Sequence, residues 1–340
     1  MRTASAAAFH LSALTEFMSD LALSRAGILR SAWRSPILLL VLTTLIWAGH
    51  SVVARLAVGE IGPMTLTCLR WALALAPILL AARGSLRRDW PTLRRRWRYL
   101  AVMGGLGYTT FNALFYFAAH FTSALNLSII QGAMPALVLI GARIFLGVRF
   151  TGLQALGALI TMAGVVAIAA QGDLARLAAL EFNVGDVMMV VAVVLYAGYT
   201  IALRERPAVS GLSLLAGMAV AACLTSLPLM VWEVAREGFK PPNVAGFLTL
   251  AYVALGPAFL SQLFYMRGVE LIGPGRAGVF VNLVPAFGAI MAVALLGEPF
   301  ALYHVVALVL VVGGIAIAQT GAGSMLRART VRTLASSSEK

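Results

Sequence analysis

The sequence predicts an all-α integral membrane protein with ten transmembrane helices, arranged as two inverted five-helix repeats (5+5). Three observations carry this prediction: apolar stretches recur along the chain, only 11% of its residues are charged, and its two halves are similar to each other. A soluble domain carries roughly 25% charged residues, so this chain has too few charges to cover a surface that faces water. The stretches are about 20 residues long, which is the length of a helix that crosses a bilayer, and they lack the polar–apolar alternation of barrel strands.

Ten apolar stretches are long enough to be spans, and the connections between them leave no room for a soluble domain. They divide the chain into an N-terminal extension (1–35), a first repeat (36–172), a second repeat (183–320) and a C-terminal tail (321–340), whose small, polar and basic composition predicts disorder. The predicted spans are Pro36–Val58, Pro63–Ala82, Tyr99–Ala119, Ala124–Gly147, Leu153–Ala170, Val187–Leu203, Leu212–Val234, Phe247–Met266, Ala277–Leu296 and Leu302–Thr320.

The N-terminal extension carries Glu16 and Asp20 and lacks a long apolar core before a cleavage site, so we expect no signal peptide. We expect a flexible cytoplasmic segment, for which Met18 is an alternative start. An interfacial amphipathic helix is the other interpretation, because four apolar residues recur at helical spacing. These residues are Leu11, Leu14, Met18 and Leu21.

The positions of the basic residues predict the orientation. If the N-terminus is cytoplasmic, 21 of the 26 Lys and Arg residues lie on or near the cytoplasmic side, four lie outside, and Arg70 lies within a span. Basic residues concentrate on the cytoplasmic side of membrane proteins. We therefore expect a multi-pass protein of the inner (plasma) membrane with both termini cytoplasmic. Because the net charge of +13 resides in short connections, we expect no nucleic-acid partner.

An internal repeat is the most specific signal in the sequence. Two groups of residues recur at offsets of 149 and 150, and each repeat then contains an odd number of spans, so the second copy must enter the membrane inverted. Inverted repeats are typical of secondary transporters, whose substrate site lies between the two halves near the bilayer midplane. The matched segments are Trp47-Ala48-Gly49 with Tyr196-Ala197-Gly198, Pro135-Ala136 with Pro285-Ala286, and Leu146-Gly147 with Leu296-Gly297.

These features, together with Arg70 in the second span and the Leu296-Gly297-Glu298 ending, resemble the EamA family of the drug/metabolite transporter superfamily over about residues 36–320. The chain departs from the family at Val148, where the first repeat often has an acidic residue, and at His50, where a smaller residue is common. The resemblance implies export of metabolites such as amino acids. It also implies a cavity lined mainly by spans 1, 3, 4, 6, 8 and 9.

Polar and aromatic side chains within the spans are the candidate substrate-binding residues, because polar groups are unfavourable in lipid and mark either a cavity or a contact between helices. For each of them, packing between helices is the structural alternative. The candidates are Trp47, His50, Ser51, Arg70, Tyr108, Asn112, Tyr116, Ser128, Gln131, Tyr196, Tyr199, Gln262, Tyr265 and Asn282.

Two of these candidates carry distinct chemistry. Arg70 lies roughly 12 Å into its span at 1.5 Å per residue, where its forked donors could hold a substrate carboxylate or bind helix ends structurally. His50 could carry a proton near neutral pH or be a core histidine whose hydrogen bonds are satisfied. The 13 acidic residues all lie in tails, loops or span ends, so proton coupling would have to use His50, and facilitated efflux or exchange is the alternative.

The sequence thus predicts a secondary transporter, not an enzyme, that exports small organic metabolites, amino acids or related compounds among them, across the cytoplasmic membrane by alternating access. A membrane-embedded enzyme or lipid flippase is the alternative. No phosphate loop, nucleophile elbow or metal-ligand spacing is present, so we expect no cofactor and no metal.

The expected partners are a small-molecule substrate and the lipid bilayer. Small residues on spans 5 and 10 could pack these helices together within a monomer or across a homodimer. They are Gly157 and Gly164 on span 5, and Gly313 and Gly314 on span 10.

Overall fold

A computed structural model describes residues 31–147, 151–171, 173, 183–239 and 241–319. In these residues the regular secondary structure is entirely helical. Most of the predicted N-terminal extension, Val148 and the predicted disordered tail lie outside the described residues.

The helices follow one another with short connections. The first half contains α1 (Pro36–Leu56), α2 (Pro63–Arg95), α3 (the consecutive segments Trp97–Met103, Gly104–Thr110 and Phe111–Ala118), α4 (Ala124–Leu146) and α5 (Gly152–Ala169). The second half contains α6 (Val184–Ala202), α7 (Gly211–Glu237), α8 (Val244–Ile272), α9 (Pro274–Val281 and Leu283–Leu296) and α10 (Leu302–Gln319).

Length and apolar composition qualify eight of the described helices to cross a membrane. They are α1, α2, α4, α6, α7, α8, α9 and α10, whereas α5 is a shorter apolar helix and α3 is divided into three segments. The protein is therefore an all-α, multi-pass membrane protein, as the apolar stretches predicted.

Local sequence explains where the helices begin and end. Helices α1, α4, α5, α6, α7 and α8 each follow a Ser, Thr or Asn whose side chain accepts a hydrogen bond from the first helical turn, which satisfies an N–H group that has no partner within the helix. Gly147 and Gly297 end α4 and α9 with φ angles of 63° and 65°. Glycine adopts this left-handed conformation without a steric penalty, and the two glycines are matched by the sequence repeat.

Helix α2 is longer than the second predicted span. Pro63–Ala82 covers its apolar part, but α2 continues to Arg95, because its basic second half is anchored to the protein by Leu93 and Asp89, which are both buried. The Asp89 carboxylate accepts a hydrogen bond from the backbone N–H of Ser210 at 2.9 Å, at the start of α7.

Helices α2 and α7 cap each other at opposite ends. While Asp89 of α2 binds the start of α7, the carboxylate of Glu233 near the end of α7 accepts hydrogen bonds from the N–H groups of Met64 and Thr65 at 2.9 and 2.8 Å. It also accepts one from the Thr65 hydroxyl at 2.6 Å. A carboxylate stabilises the positive end of a helix dipole. This reciprocal arrangement fixes two antiparallel helices in register.

A buried apolar cluster fills one end of the bundle, where α3 ends and α4 begins. We call this the α3–α4 end. Helices α1, α3, α4, α6 and α9 each contribute to the cluster, which excludes water from that half of the bundle. Representative members are Val52, Phe115, Leu125, Met189 and Ala292.

Helices α5 and α10 meet at their small residues within one chain. A Cβ atom at Gly157 would overlap the backbone of Gly314, and one at Gly314 would overlap the backbone of Gly157. Gly164 packs in the same way against the backbone of Ala307. Small residues let helices in lipid approach closely, so Gly157, Gly164 and Gly314 are used for packing inside the monomer. A Cβ atom added at Gly313 would meet no atom within 4 Å.

Candidate functional site

A cavity of about 620 Å³ lies between the two halves of the bundle. Eight helices contribute to its wall: α1, α2, α3, α4, α6, α8, α9 and α10. Aromatic rings and side-chain amides recur in the lining, and Arg70 is the one permanently charged side chain among the lining residues that the structure describes. This composition suits a small organic molecule with an apolar body and a few polar groups.

The cavity lies away from the α3–α4 end. Its lining reaches Leu203 at the end of α6 and Gly278 near the start of α9, which both lie at the opposite end of the bundle. On the other side it stops at the apolar cluster of the α3–α4 end, in which Phe115 and Leu125 are fully buried.

Hydrogen bonds between helix ends close the α3–α4 end. The Glu298 carboxylate, after α9, accepts from the backbone N–H groups of Ala124 and Leu125 at 2.8 and 2.9 Å. The Arg55 guanidinium, at the end of α1, donates to the carbonyl oxygen of Ala119 at 2.6 Å. Asp186 of α6 is buried and accepts from Asn126 of α4 at 3.2 Å. Three helices, α1, α6 and α9, are therefore joined to the region where α3 ends and α4 begins.

Helices α3 and α8 widen into π-helical turns beside the cavity, at Gly104–Thr110 and Gly256–Leu260. Residues of both turns line the cavity, among them Gly107 and Pro257. A Cβ atom at Gly107 would overlap the ring of Tyr199, so glycine is required there. Such turns occur frequently at functional sites, because they redirect side chains from a regular helix.

Arg70 is the centre of a polar cluster in the cavity wall. The side chain is 3% exposed. Its Nη1 group donates to the Asn112 side-chain oxygen and to the Tyr116 hydroxyl at 2.7 Å, and its Cζ atom lies 5.1 Å from the centre of the Trp71 ring. The two neutral oxygens and the aromatic face stabilise the guanidinium without neutralising it.

His50 completes this cluster. Its Nε2 atom lies 3.2 Å from Nη1 of Arg70 and 2.8 Å from the Tyr116 hydroxyl. Because arginine can only donate, Nε2 is the acceptor in any hydrogen bond that it forms with Nη1. A second positive charge beside Arg70 would be repelled. The geometry therefore favours a histidine that positions Arg70 over one that carries a proton.

No carboxylate of the described residues forms an ion pair with Arg70. The ion pairs in this part of the chain are Arg88–Asp89 and Arg267–Glu270, at 3.2 and 3.0 Å. The Nε atom of Arg70 is buried without a hydrogen-bond partner. A buried charge without a counter-charge is unfavourable, so this side chain is incompletely satisfied by the protein itself.

Eleven of the fourteen predicted binding residues line the cavity. Their contact with a substrate stays a prediction. The eleven are Trp47, His50, Arg70, Tyr108, Asn112, Gln131, Tyr196, Tyr199, Gln262, Tyr265 and Asn282.

The other three lie outside the cavity lining. Tyr116 is 1% exposed and lies behind Arg70. Ser128 donates to the carbonyl oxygen of Ala124 at 2.9 Å within its own helix, whereas the Ser51 hydroxyl is buried without a hydrogen-bond partner. A small hydroxyl can be satisfied by a helix carbonyl, so its presence within a span does not by itself indicate a cavity.

The prediction omitted several apolar lining residues. Trp71 stacks on Tyr108 with ring centres 4.5 Å apart, and Phe111 lies 4.9 Å from Tyr196. Both rings line the cavity. An apolar aromatic residue within a span has no sequence signal that separates the cavity wall from a lipid-facing or packed position. The position of Trp71 directly after Arg70 was the one available clue.

Two segments of the chain, residues 34–170 and 183–320, match the EamA-like transporter family. The chain belongs to the EamA-like transporter family. The resemblance drawn from the sequence motifs is therefore confirmed, and the family match occurs once in each half of the chain.

Curated relatives of this EamA protein are transporters by name. The uncharacterized transporter YyaM of Bacillus subtilis is 28% identical over 272 residues, which cover 77% of this chain and 86% of that protein. An uncharacterized transporter of Archaeoglobus fulgidus is 28% identical over 268 residues, 77% of this chain and 89% of that protein. A probable terminal-alkyne amino-acid exporter of Streptantibioticus cattleyicolor is 27% identical over 265 residues, 76% of this chain and 84% of that protein.

A solved crystal structure of a protein resembles the EamA fold described here. The TM-score is 0.57 at 18% sequence identity, and the match covers 85% of this chain and 96% of that one. This likeness concerns the fold alone. The family and its relatives identify a transporter, and the apolar helices identify a multi-pass membrane protein.

Proposed function

We propose that this EamA-family protein is a secondary transporter that exports small organic metabolites, amino acids or related compounds among them, by alternating access. The observation that carries the proposal is the cavity between the two halves, which is closed at the α3–α4 end and extends toward the opposite end. A cavity that is accessible from one side is one of the two states that alternating access requires.

The repeat supplies the second state. In our proposal the family match in each half corresponds to five spans, so that ten spans form two inverted copies (5+5). Eight of these spans are the helices that qualify by length and composition, and α3 and α5 are the other two. Two inverted copies of one fold can exchange conformations, which gives inward-open and outward-open states of similar energy.

The basic residues orient the proposed transporter in the inner membrane. The arginine-rich end of α2, Arg87–Arg95, lies at the end of the bundle opposite the α3–α4 end. Basic residues favour the cytoplasmic side. The termini are then cytoplasmic, the α3–α4 end faces outward, and the structure corresponds to an inward-facing state.

The size and lining of the cavity support amino acids as substrates. A volume of about 620 Å³ accommodates a molecule of that class, and the wall offers aromatic rings for a side chain and amides for polar groups. The relative from Streptantibioticus cattleyicolor that is named as a probable terminal-alkyne amino-acid exporter supports the same class.

Flux through proteoliposomes tests the proposal. The full chain, purified and reconstituted, should release preloaded amino acids faster than protein-free liposomes do. A panel of amino acids, organic acids, nucleobases and organic cations covers the small metabolites. If folded protein moves none of these solutes but moves fluorescent lipids between leaflets in the same liposomes, the alternative function as a flippase replaces this one.

A further inference from the structure

We propose that Arg70 is the anchor for a substrate carboxylate, and that the cavity selects carboxylates with an apolar or aromatic body. This inference rests on the proposed transport function and specifies its substrate class. It resolves the two roles of Arg70 that the sequence left open in favour of binding.

The first argument is the charge of Arg70. The guanidinium lies in the cavity wall, 3% exposed, and no acidic side chain of the described residues pairs with it. Its hydrogen-bond acceptors, the Asn112 amide and the Tyr116 hydroxyl, are neutral. A carboxylate that enters the cavity would supply the counter-charge that the described residues lack. Removing water from such a pair strengthens its attraction.

The second argument is the donor geometry. Nη1 of Arg70 is oriented by its two acceptors and by His50, while Nε has no partner. A buried N–H group without an acceptor is unfavourable. Guanidinium and carboxylate groups attract each other strongly and form charge-assisted hydrogen bonds, so a carboxylate in the cavity would supply the counter-charge that the described residues do not give Arg70.

The third argument is the aromatic wall next to the guanidinium. Trp71, the neighbour of Arg70 in sequence, stacks on Tyr108. Tyr196 contacts both Phe111 and Tyr199, with ring centres 4.9 and 5.1 Å away. These rings all line the cavity. They form an apolar surface for the rest of the substrate, whose burial contributes binding free energy in proportion to its area.

A substrate ammonium group has a different partner. The cavity lining in the described residues contains no Asp or Glu, but the partly exposed side-chain amides of Gln131 and Gln262 line it. Their side-chain oxygens can accept hydrogen bonds from an ammonium group. A zwitterion therefore finds both of its charged groups accommodated, whereas an organic cation without a carboxylate meets the positive charge of Arg70 and no counter-charge.

Four matched ligands test the inference: L-phenylalanine, L-phenylalaninamide, 3-phenylpropionate and phenethylamine. Their binding to the purified full chain is measured by calorimetry at pH 7. We expect L-phenylalanine to bind, 3-phenylpropionate to retain measurable binding, and the amide and the amine to bind about tenfold more weakly or worse than L-phenylalanine.

Arg70→Gln should remove the preference for the acid over the amide, and Arg70→Lys should keep part of it. Arg87→Gln, an exposed arginine of the same helix, should bind all four like the wild type.

Equal binding of L-phenylalanine and its amide by the wild type would overturn the inference, and so would unchanged binding of L-phenylalanine by Arg70→Gln. If neither Arg70 variant folds, the acid–amide comparison in the wild type decides. Failure of all four ligands to bind folded wild type also contradicts the inference. Flux of solutes without a carboxylate would then leave the proposed transport function standing, while absence of any solute flux would refute that function itself.

Discussion

The side chains of Arg70 and Tyr116 are joined by a hydrogen bond of 2.7 Å between Nη1 and the phenol oxygen. Tyr116 is 1% exposed and does not line the cavity. The same hydroxyl lies 2.8 Å from Nε2 of His50. Tyr116 therefore acts on the cavity through Arg70: it fixes the direction of the guanidinium, and it does so from a position that a substrate cannot contact in this state.

Tyr116→Phe should weaken carboxylate transport several-fold and lower stability by about 1–3 kcal/mol, because it leaves buried partners unsatisfied. Tyr252→Phe is the matched control: its hydroxyl donates to the carbonyl oxygen of Ile46 at 2.8 Å, outside the Arg70 cluster. Both variants should melt at a lower temperature. If Tyr252→Phe reduces transport as much as Tyr116→Phe at equal protein levels, the positioning role of Tyr116 is wrong.

Gln131→Ala should reduce transport and leave thermal stability nearly unchanged, because Gln131 lines the cavity. Gln154→Ala should show the opposite pattern, with lower thermal stability and unchanged transport. Gln154 forms a reciprocal capping interaction with Thr151 at the start of α5, whose loss should cost about 1 kcal/mol without changing the substrate preference. Flux assays and melting curves on the two variants separate the two effects. A Gln131→Ala protein that melts early but transports normally would contradict this assignment.

Gly107→Ala should destabilise the protein and slow transport, because the added methyl group would overlap the ring of Tyr199 in the cavity wall. Gly84→Ala is the control. It lies in α2 with no atom within 4 Å of the added Cβ, so it should raise stability by about 0.5–1 kcal/mol through helix propensity. Melting curves of both variants give the comparison. Equal stabilisation by the two substitutions would show that the π-helical turn of α3 has room for a side chain.

Glu298→Gln should loosen the α3–α4 end. The carboxylate accepts from two N–H groups at the start of α4, where a negative charge also interacts favourably with the helix dipole by about 0.3–1 kcal/mol. We expect Leu125→Cys, in a background without Cys68 and Cys223, to react faster with a maleimide when Glu298 is replaced. The control, Glu237→Gln, changes an exposed carboxylate at the end of α7 and should leave the reaction rate unchanged. A rate that does not respond to Glu298→Gln would exclude the carboxylate as a closing element.

The sequence predicted the helical fold well because the requirement for long apolar helices in lipid leaves few alternatives. It could not predict the length of α2, since the basic residues after Ala82 end the apolar pattern while Asp89 and Leu93 continue the helix through tertiary contacts. The π-helical turns of α3 and α8 were also missed, because they depend on packing between helices and not on local composition.

The sequence predicted only part of the candidate site, because polarity within a span was its only signal. Polar side chains within spans must avoid lipid, which drew attention to Arg70, Asn112 and Gln131, and these three residues line the cavity. Ser128 also avoids lipid, but it does so by donating a hydrogen bond to a carbonyl of its own helix. A polar residue within a span can therefore be either buried between helices or exposed to the cavity. Apolar rings such as Trp71 produce no such signal, and their place in the wall required the packing of the helices.

Exchange across proteoliposomes tests the central claim most directly. Labelled L-phenylalanine is added outside vesicles that contain excess unlabelled L-phenylalanine, and its accumulation is followed for the wild type, Val138→Trp and Leu159→Trp. Val138 lines the cavity, whereas Leu159 is 68% exposed on α5. We predict rapid accumulation by the wild type and Leu159→Trp, and its loss in Val138→Trp, because the larger indole side chain obstructs the cavity. Exchange that is unaffected by Val138→Trp in folded protein would contradict a transport route through this cavity.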